Sequence, residues 1–276
     1  MQVIRYEMEK EKKISTKDMV VNVLKDDPFF KDFKFNRTES KFIKFTEWGF
    51  FGLYLRSRMY VPGVSEFRLS AIVHYRIITD WFLKYSYFKE INDLIHYSNI
   101  YEPIIFDESK VDYNFGEYYV HREPELFARD VEELKRKTII QADRIFKKFD
   151  NIDNYYEYEV KPCFEGKEEL VASGSWMATM LAATKIVSPE NYEKYKQIYR
   201  EDWKNKLENG YKGYDVKYYF PKLDEIYAYL DSINLKDQVI KRRGEKEITD
   251  AVFARKPKES EGKFSWLLSF ANKLKN

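Results

Sequence analysis

Phe67-Arg68-Leu69-Ser70-Ala71-Ile72-Val73-His74-Tyr75-Arg76-Ile77-Ile78 is the stretch whose reading decides the fold. Taken in steps of two, Phe67, Leu69, Ala71, Val73, Tyr75 and Ile77 form one set, and Arg68, Ser70, Ile72, His74 and Arg76 form the other. Period two is the signature of a strand with one face on a core and the other turned elsewhere. Before it, Phe50 to Tyr60 sorts the same way: Phe51, Leu53, Leu55 and Met59 against Tyr54, Arg56 and Arg58. Lys41 to Trp48 supplies a third strand, with Ile43 and Phe45 opposed to Phe42, Lys44, Thr46 and Trp48. Glu47-Trp48-Gly49 and Val61-Pro62-Gly63 separate the three runs, and both read as chain reversals. Connections so short join antiparallel neighbours, so the expectation is a three-stranded meander.

Outward from the meander the period changes to that of helices. Met19, Val20, Val23 and Leu24 share a helical face behind Thr16 as N-cap, and Pro28 closes that helix. A helix is expected from Thr79 to Tyr97, then short strands at Pro103–Phe106 and Phe115–Val120. The longest helix runs from Glu123 to Phe149, with Phe127, Val131, Leu134, Thr138, Ala142 and Ile145 on its apolar side. Trp176 to Val187 is apolar nearly all round and predicts a buried helix. Ser188-Pro189-Glu190 starts another, which ends at Asn209-Gly210, and Pro221 opens a last one through Leu230. The fold class is therefore α+β: an N-terminal antiparallel sheet with helices on one face, then a mostly helical C-terminal half. The expected organisation is a flexible lead-in at 1–15, an α+β domain at 16–160, a helical region packed on it at 161–255, and a linker with a short amphipathic helix at 256–276. That last helix presents Phe264, Trp266, Leu267 and Phe270, for docking in cis, on a partner or on a membrane surface.

Tyr and Phe number 23 and 21 in 276 residues, and each ring buries roughly 150–250 Å², so the enrichment reads as packing, with a stacking or partner-binding surface as the alternative. The net charge of +2 gives no overall field for nucleic acid, but its distribution is uneven. Residues 31–84 hold 10 Lys/Arg against 5 Asp/Glu, and residues 101–170 hold 11 against 18. The two regions either neutralise one another or leave a basic face. No run of about 18 apolar residues occurs, so no transmembrane segment is expected, and the default location is the cytoplasm.

Motifs for chemistry are missing. The three histidines, His74, His96 and His121, lack the spacing of a zinc helix. Cys163 has no second cysteine and sits between Pro162 and Phe164, as a small buried hydrophobe would. Neither phosphate-binding glycine pattern occurs, so no cofactor is expected.

One sheet face is apolar and calls for helical cover. The opposite face carries Phe42, Lys44, Trp48, Tyr54, Arg56, Arg58, Arg68, His74 and Arg76. Three readings compete for it: a wet sheet face whose cations block edge aggregation, an interface for an acidic protein, and a platform for single-stranded nucleic acid. The expected partner is another protein, with nucleic acid as the alternative. The function read from this is a non-enzymatic interaction protein, of the toxin-neutralising sort among others. A hydrolase with a site assembled from scattered residues around His74 is the remaining alternative.

The helix at Met19–Leu24, the run Phe29-Phe30-Lys31-Asp32-Phe33-Lys34-Phe35 and the paired strands ending at Phe67–Ile78 together resemble the bacterial domain-of-unknown-function family numbered 4304. The resemblance spans residues 16–160, and Phe29-Phe30 stands where that family has a glycine. It implies a bacterial source and a helix, turn, meander and helices in that order. It implies no activity and no site residues.

Overall fold

The computed structural model describes residues 14–85, 98–107, 116–166, 174–212, 219–241 and 244–248. Residues 1–13 of the expected lead-in, the second part of the helix expected to reach Tyr97, His96, Phe115 and the C-terminal amphipathic segment lie outside them.

Six strands form one antiparallel sheet in the order β1 (Lys34–Asn36), β2 (Lys41–Phe45), β3 (Gly49–Val61), β4 (Val64–Tyr75) and β5 (Ile100–Pro103), with β6 (Tyr118–His121) also on β4. β3 pairs with β4 along nearly its full length, so β5 and β6 follow one another down the opposite edge of β4. The turn between β2 and β3 brings backbone against backbone. A Cβ on Gly49 would stand 1.8 Å from the His74 carbonyl oxygen, so only glycine fits there.

The register corrects the expected faces of β2. Directly opposed residues share a face, and Phe42 opposes Leu53 while Ile43 opposes Gly52. Phe42 is therefore fully buried in the main core, and Lys44 lies on the same side with its ammonium over the Phe33 ring. Ile43 and Phe45 go to the other face, with Phe50 and Ile72. Alternation along β2 was legible, but its phase depends on how many residues the turn consumes.

α1 (Thr16–Asp26) starts one residue earlier in its capping than expected: the hydroxyl of Ser15, rather than of Thr16, accepts from the Asp18 N–H at 3.1 Å. β4 also ends sooner than its apolar run suggests. Arg76, Ile77 and Ile78 form the first turn of α2 (Arg76–Tyr85), so Arg76 is a helical residue. α3 (Pro124–Lys148) has the expected limits and buries Val131, Leu134, Thr138, Ala142 and Ile145. α4 (Ile152–Tyr155) passes through a π-helical stretch, Tyr156–Val160, into α5 (Lys161–Phe164). α6 (Gly174–Val187), α7 (Tyr192–Glu208) and α8 (Leu223–Ser232) complete a mostly helical C-terminal half. Among the described residues no helix is long and apolar enough to cross a membrane.

One core joins the sheet to these helices. It includes Val20 and Leu24 of α1, Leu53 and Val73 of the sheet, Leu134 of α3, Leu181 of α6 and Trp203 of α7. Tyr75 ties its layers together: its ring packs on Trp48 and Tyr155, and its hydroxyl donates to the Phe149 carbonyl at 2.7 Å.

Candidate functional site

Parity in the β3–β4 register puts Tyr54, Arg56 and Arg58 on one face with Glu66, Arg68, Ser70, Ile72 and His74. This face has two unlike halves. Near the β2–β3 turn it is apolar, and Ile43, Phe50 and Ile72 are buried there. His74 is fully buried, its ring stacked on Phe50 with centroids 4.8 Å apart and its Nε2 3.9 Å from Asp80 Oδ1. Residues 239–241 and 244–248 close over this half. Arg76 donates to the carbonyls of Ile240, at 2.8 Å, and Lys246, and it faces the Glu245 carboxylate at 3.0 Å. The Ile240 N–H in turn donates to Asp80 Oδ2 at 2.9 Å.

Of the nine residues expected on this face, Phe42 and Lys44 lie on the core side with the corrected phase of β2, and three more are corrected here. His74 and Arg76 are interior, because the chain's own C-terminal part covers them. Trp48 belongs to the helix-covered face, where it packs on Tyr75 and Phe51. The structure brings together the other four: Tyr54, Arg56, Arg58 and Arg68.

Glu66 organises that group. Its side chain is 2% exposed, and its two oxygens accept from Arg58 at 2.6 and 2.8 Å and from Arg68 at 2.9 Å. Arg68 also reaches Glu117, which accepts from the Tyr119 hydroxyl at 2.9 Å. The bond to Glu66 raises the Arg58 pKa, and the bond to Glu117 raises that of Tyr119. Arg56 is held differently: its Nε donates to the Tyr54 hydroxyl at 3.1 Å, which raises its pKa, and its guanidinium lies 5.1 Å from the Tyr54 ring centroid. The same ring also meets the buried ammonium of Lys41, 5.6 Å from its centroid, whose pKa is lowered by burial. One tyrosine thus spaces two cations.

β3 outruns its neighbour here. β2 pairs with it only as far as Tyr54, and the last contact is the Leu55 N–H to the Ser40 carbonyl at 2.9 Å. A cleft of about 420 Å³ opens along this edge, lined by Lys17, Ser40, Tyr54, Arg56, Arg58, Glu66 and Arg68 among others. A second, of about 270 Å³, continues it past Ser57 and Met59 to Gly63 and Arg122. Met59, 76% exposed, lines it, and the next residue, Tyr60, is 58% exposed.

Lys17, Ser40, Lys41, Glu66 and Glu117 escaped the sequence reading. Glu66 had a signal, since it is two residues before Arg68 and shares its face. Lys17 and Glu117 had none, because they come from α1 and from the approach to β6. Among the described residues no histidine or cysteine lines these clefts. His121 is engaged with Asp130 at 2.7 Å and Cys163 is buried. Among the described residues no group of three or more His, Cys, Asp or Glu is placed to hold a metal ion. No family model, curated protein or solved structure matches the chain.

Proposed function

We propose that this chain is a protein-binding protein, and that the patch of Lys17, Tyr54, Arg56, Arg58 and Arg68 docks an acidic surface of another protein. One observation carries the reading. Arg56 and Lys17 flank a concave cleft, and among the described residues each hydrogen-bonds a hydroxyl, of Tyr54 and Ser40, rather than a carboxylate. Cations so placed gain more from an incoming carboxylate than the paired Arg58 and Arg68 do. Arginine and tyrosine beside exposed Met59 and Tyr60 also match the composition of interface centres. A wet sheet face needs charge, but it has no need of a fixed guanidinium–phenol pair at a cleft.

Binding of fluorescent poly-glutamate and of a short single-stranded RNA at physiological salt tests this. The acidic polypeptide should bind, and Arg56→Glu combined with Lys17→Glu should weaken it by roughly tenfold or more. RNA binding tighter than the polypeptide, with a steep salt dependence, would turn the reading to nucleic acid. An acidic polypeptide that binds both proteins alike sinks it.

A further inference from the structure

We infer that the partner is taken up as an added strand on the free edge of β3, through an extended segment with acidic residues at alternate positions. This rests on the acidic-partner reading above and specifies how the contact is made.

Backbone parity identifies the groups that would bind. In an antiparallel strand the N–H and C=O of one residue point to the same side, and successive residues alternate. The Leu55 N–H points to Ser40, toward β2 and away from β4. Ser57 and Met59 therefore point that way too, along a stretch where, among the described residues, only β4 is paired with β3. Such an edge is a template for another strand unless it is covered. Among the described residues it is bordered by a trough rather than by cover. The two clefts share Lys17, Ser57 and Arg58, so they run on from one another, with the start of α1 as the far wall.

Charge decides which strand fits. The two clefts are lined by Lys17, Arg56, Arg58, Arg68 and Arg122 against the single carboxylate of Glu66. Arg56 and Arg58 lie two residues apart on one face, so an added strand meets them with its residues i and i+2. Carboxylates belong at those positions, and the residue between them, opposite Ser57 and beside the start of α1, is small or apolar. A second copy of this chain is disfavoured by the same arginines. Antiparallel self-pairing about Ser57 would set Arg56 of one copy opposite Arg58 of the other, and like charges directly opposed repel.

The probe is a short peptide of alternating glutamate and valine, compared with the same peptide N-methylated on the amides of one edge. Methylation removes the N–H donors and keeps the charge. The plain peptide should bind at least roughly tenfold more tightly than the methylated one. Amide exchange at Ser57 and Met59, followed by NMR, should be fast in the free protein and slow in the complex. Ser57→Pro should lose the same tenfold with the fold intact, because its N–H faces away from β4, where an edge strand tolerates proline.

Equal binding of the two peptides would overturn the added strand and leave the acidic-partner reading standing. Failure of both peptides and of poly-glutamate would remove the two together. Protection of Ser57 and Met59 in the free protein overturns the inference as well. Protection that grows with protein concentration gives the edge to a second copy, and protection at every dilution gives it to the chain itself.

Discussion

Asp130 does two jobs with one carboxylate. It is nearly buried, and its Oδ2 accepts from both the His121 N–H at 3.0 Å and the His121 Nδ1 at 2.7 Å, while Oδ1 accepts from Arg129 at 2.8 Å. The first pair fixes β6 to α3, and the second satisfies the remaining oxygen. Burial alone would raise the Asp130 pKa, but the bonds from His121 and Arg129 outweigh it and hold the group below its ordinary value. A depressed carboxylate contributes stability that is complete above its unfolded pKa, about 3.9, and is lost as pH falls through the folded value. Asp130→Asn keeps the shape, removes the charge and turns an amide N–H₂ toward donors. It should cost about 1–3 kcal/mol at neutral pH and flatten the acid limb of stability between about pH 5 and pH 2. Urea unfolding across that range checks both parts, and a variant with the wild-type pH profile would show that Asp130 is not a source of the acid sensitivity.

At the scale of elements, the junction of β4 with α2 determines what the outer sheet face can do. Arg76 sits 3% exposed, with the carbonyls of Ile240 and Lys246 and the carboxylates of Glu245 and Asp80 around it. Arg76→Met removes the guanidinium and leaves those acceptors facing hydrocarbon. The expected cost is about 3–5 kcal/mol, with faster hydrogen exchange in residues 239–248 and no change at Ser57. Unaltered exchange across 239–248 would show that the segment is held by something other than Arg76. This junction also marks where the sequence stopped being legible. Alternation from Phe67 to Tyr75 was plain because one side of β4 packs on helices throughout. Arg76 and Ile77 continue the alternation by composition, yet with Ile78 they form a helical turn, since so short a run suits either period. The faces of β3 and β4 came through correctly, whereas β2 came out inverted, a phase set by register rather than by any side chain. Four of the nine expected surface residues lie together for the same reason. Phe42, Lys44 and Trp48 were lost to the inverted phase, and His74 and Arg76 to cover from a segment some 160 residues away in sequence.

For the whole molecule, the question is whether sheet and helices stand or fall together. The aromatic enrichment bears on it, because large rings bridge elements distant in sequence. Phe51 packs on Phe146, Trp81 on Tyr229, and Phe164 lies flat on Tyr195 with centroids 4.3 Å apart. Leu181 of α6, fully buried, belongs to the same cluster as Leu53 of the sheet. A continuous core of this kind transmits a cavity in one layer to the other, because few packed neighbours can relax independently. Leu181→Ala should therefore cost about 2–5 kcal/mol and lower a single unfolding midpoint, with fluorescence and circular dichroism tracing the same curve. Leu53→Ala should do the same from the other side of the core, by a similar amount. Two resolved transitions in either variant, with one half melting ahead of the other, would mean that the shared cluster does not couple them. The exposed end of the β3–β4 hairpin would then be attached to a sheet that folds without its helical half.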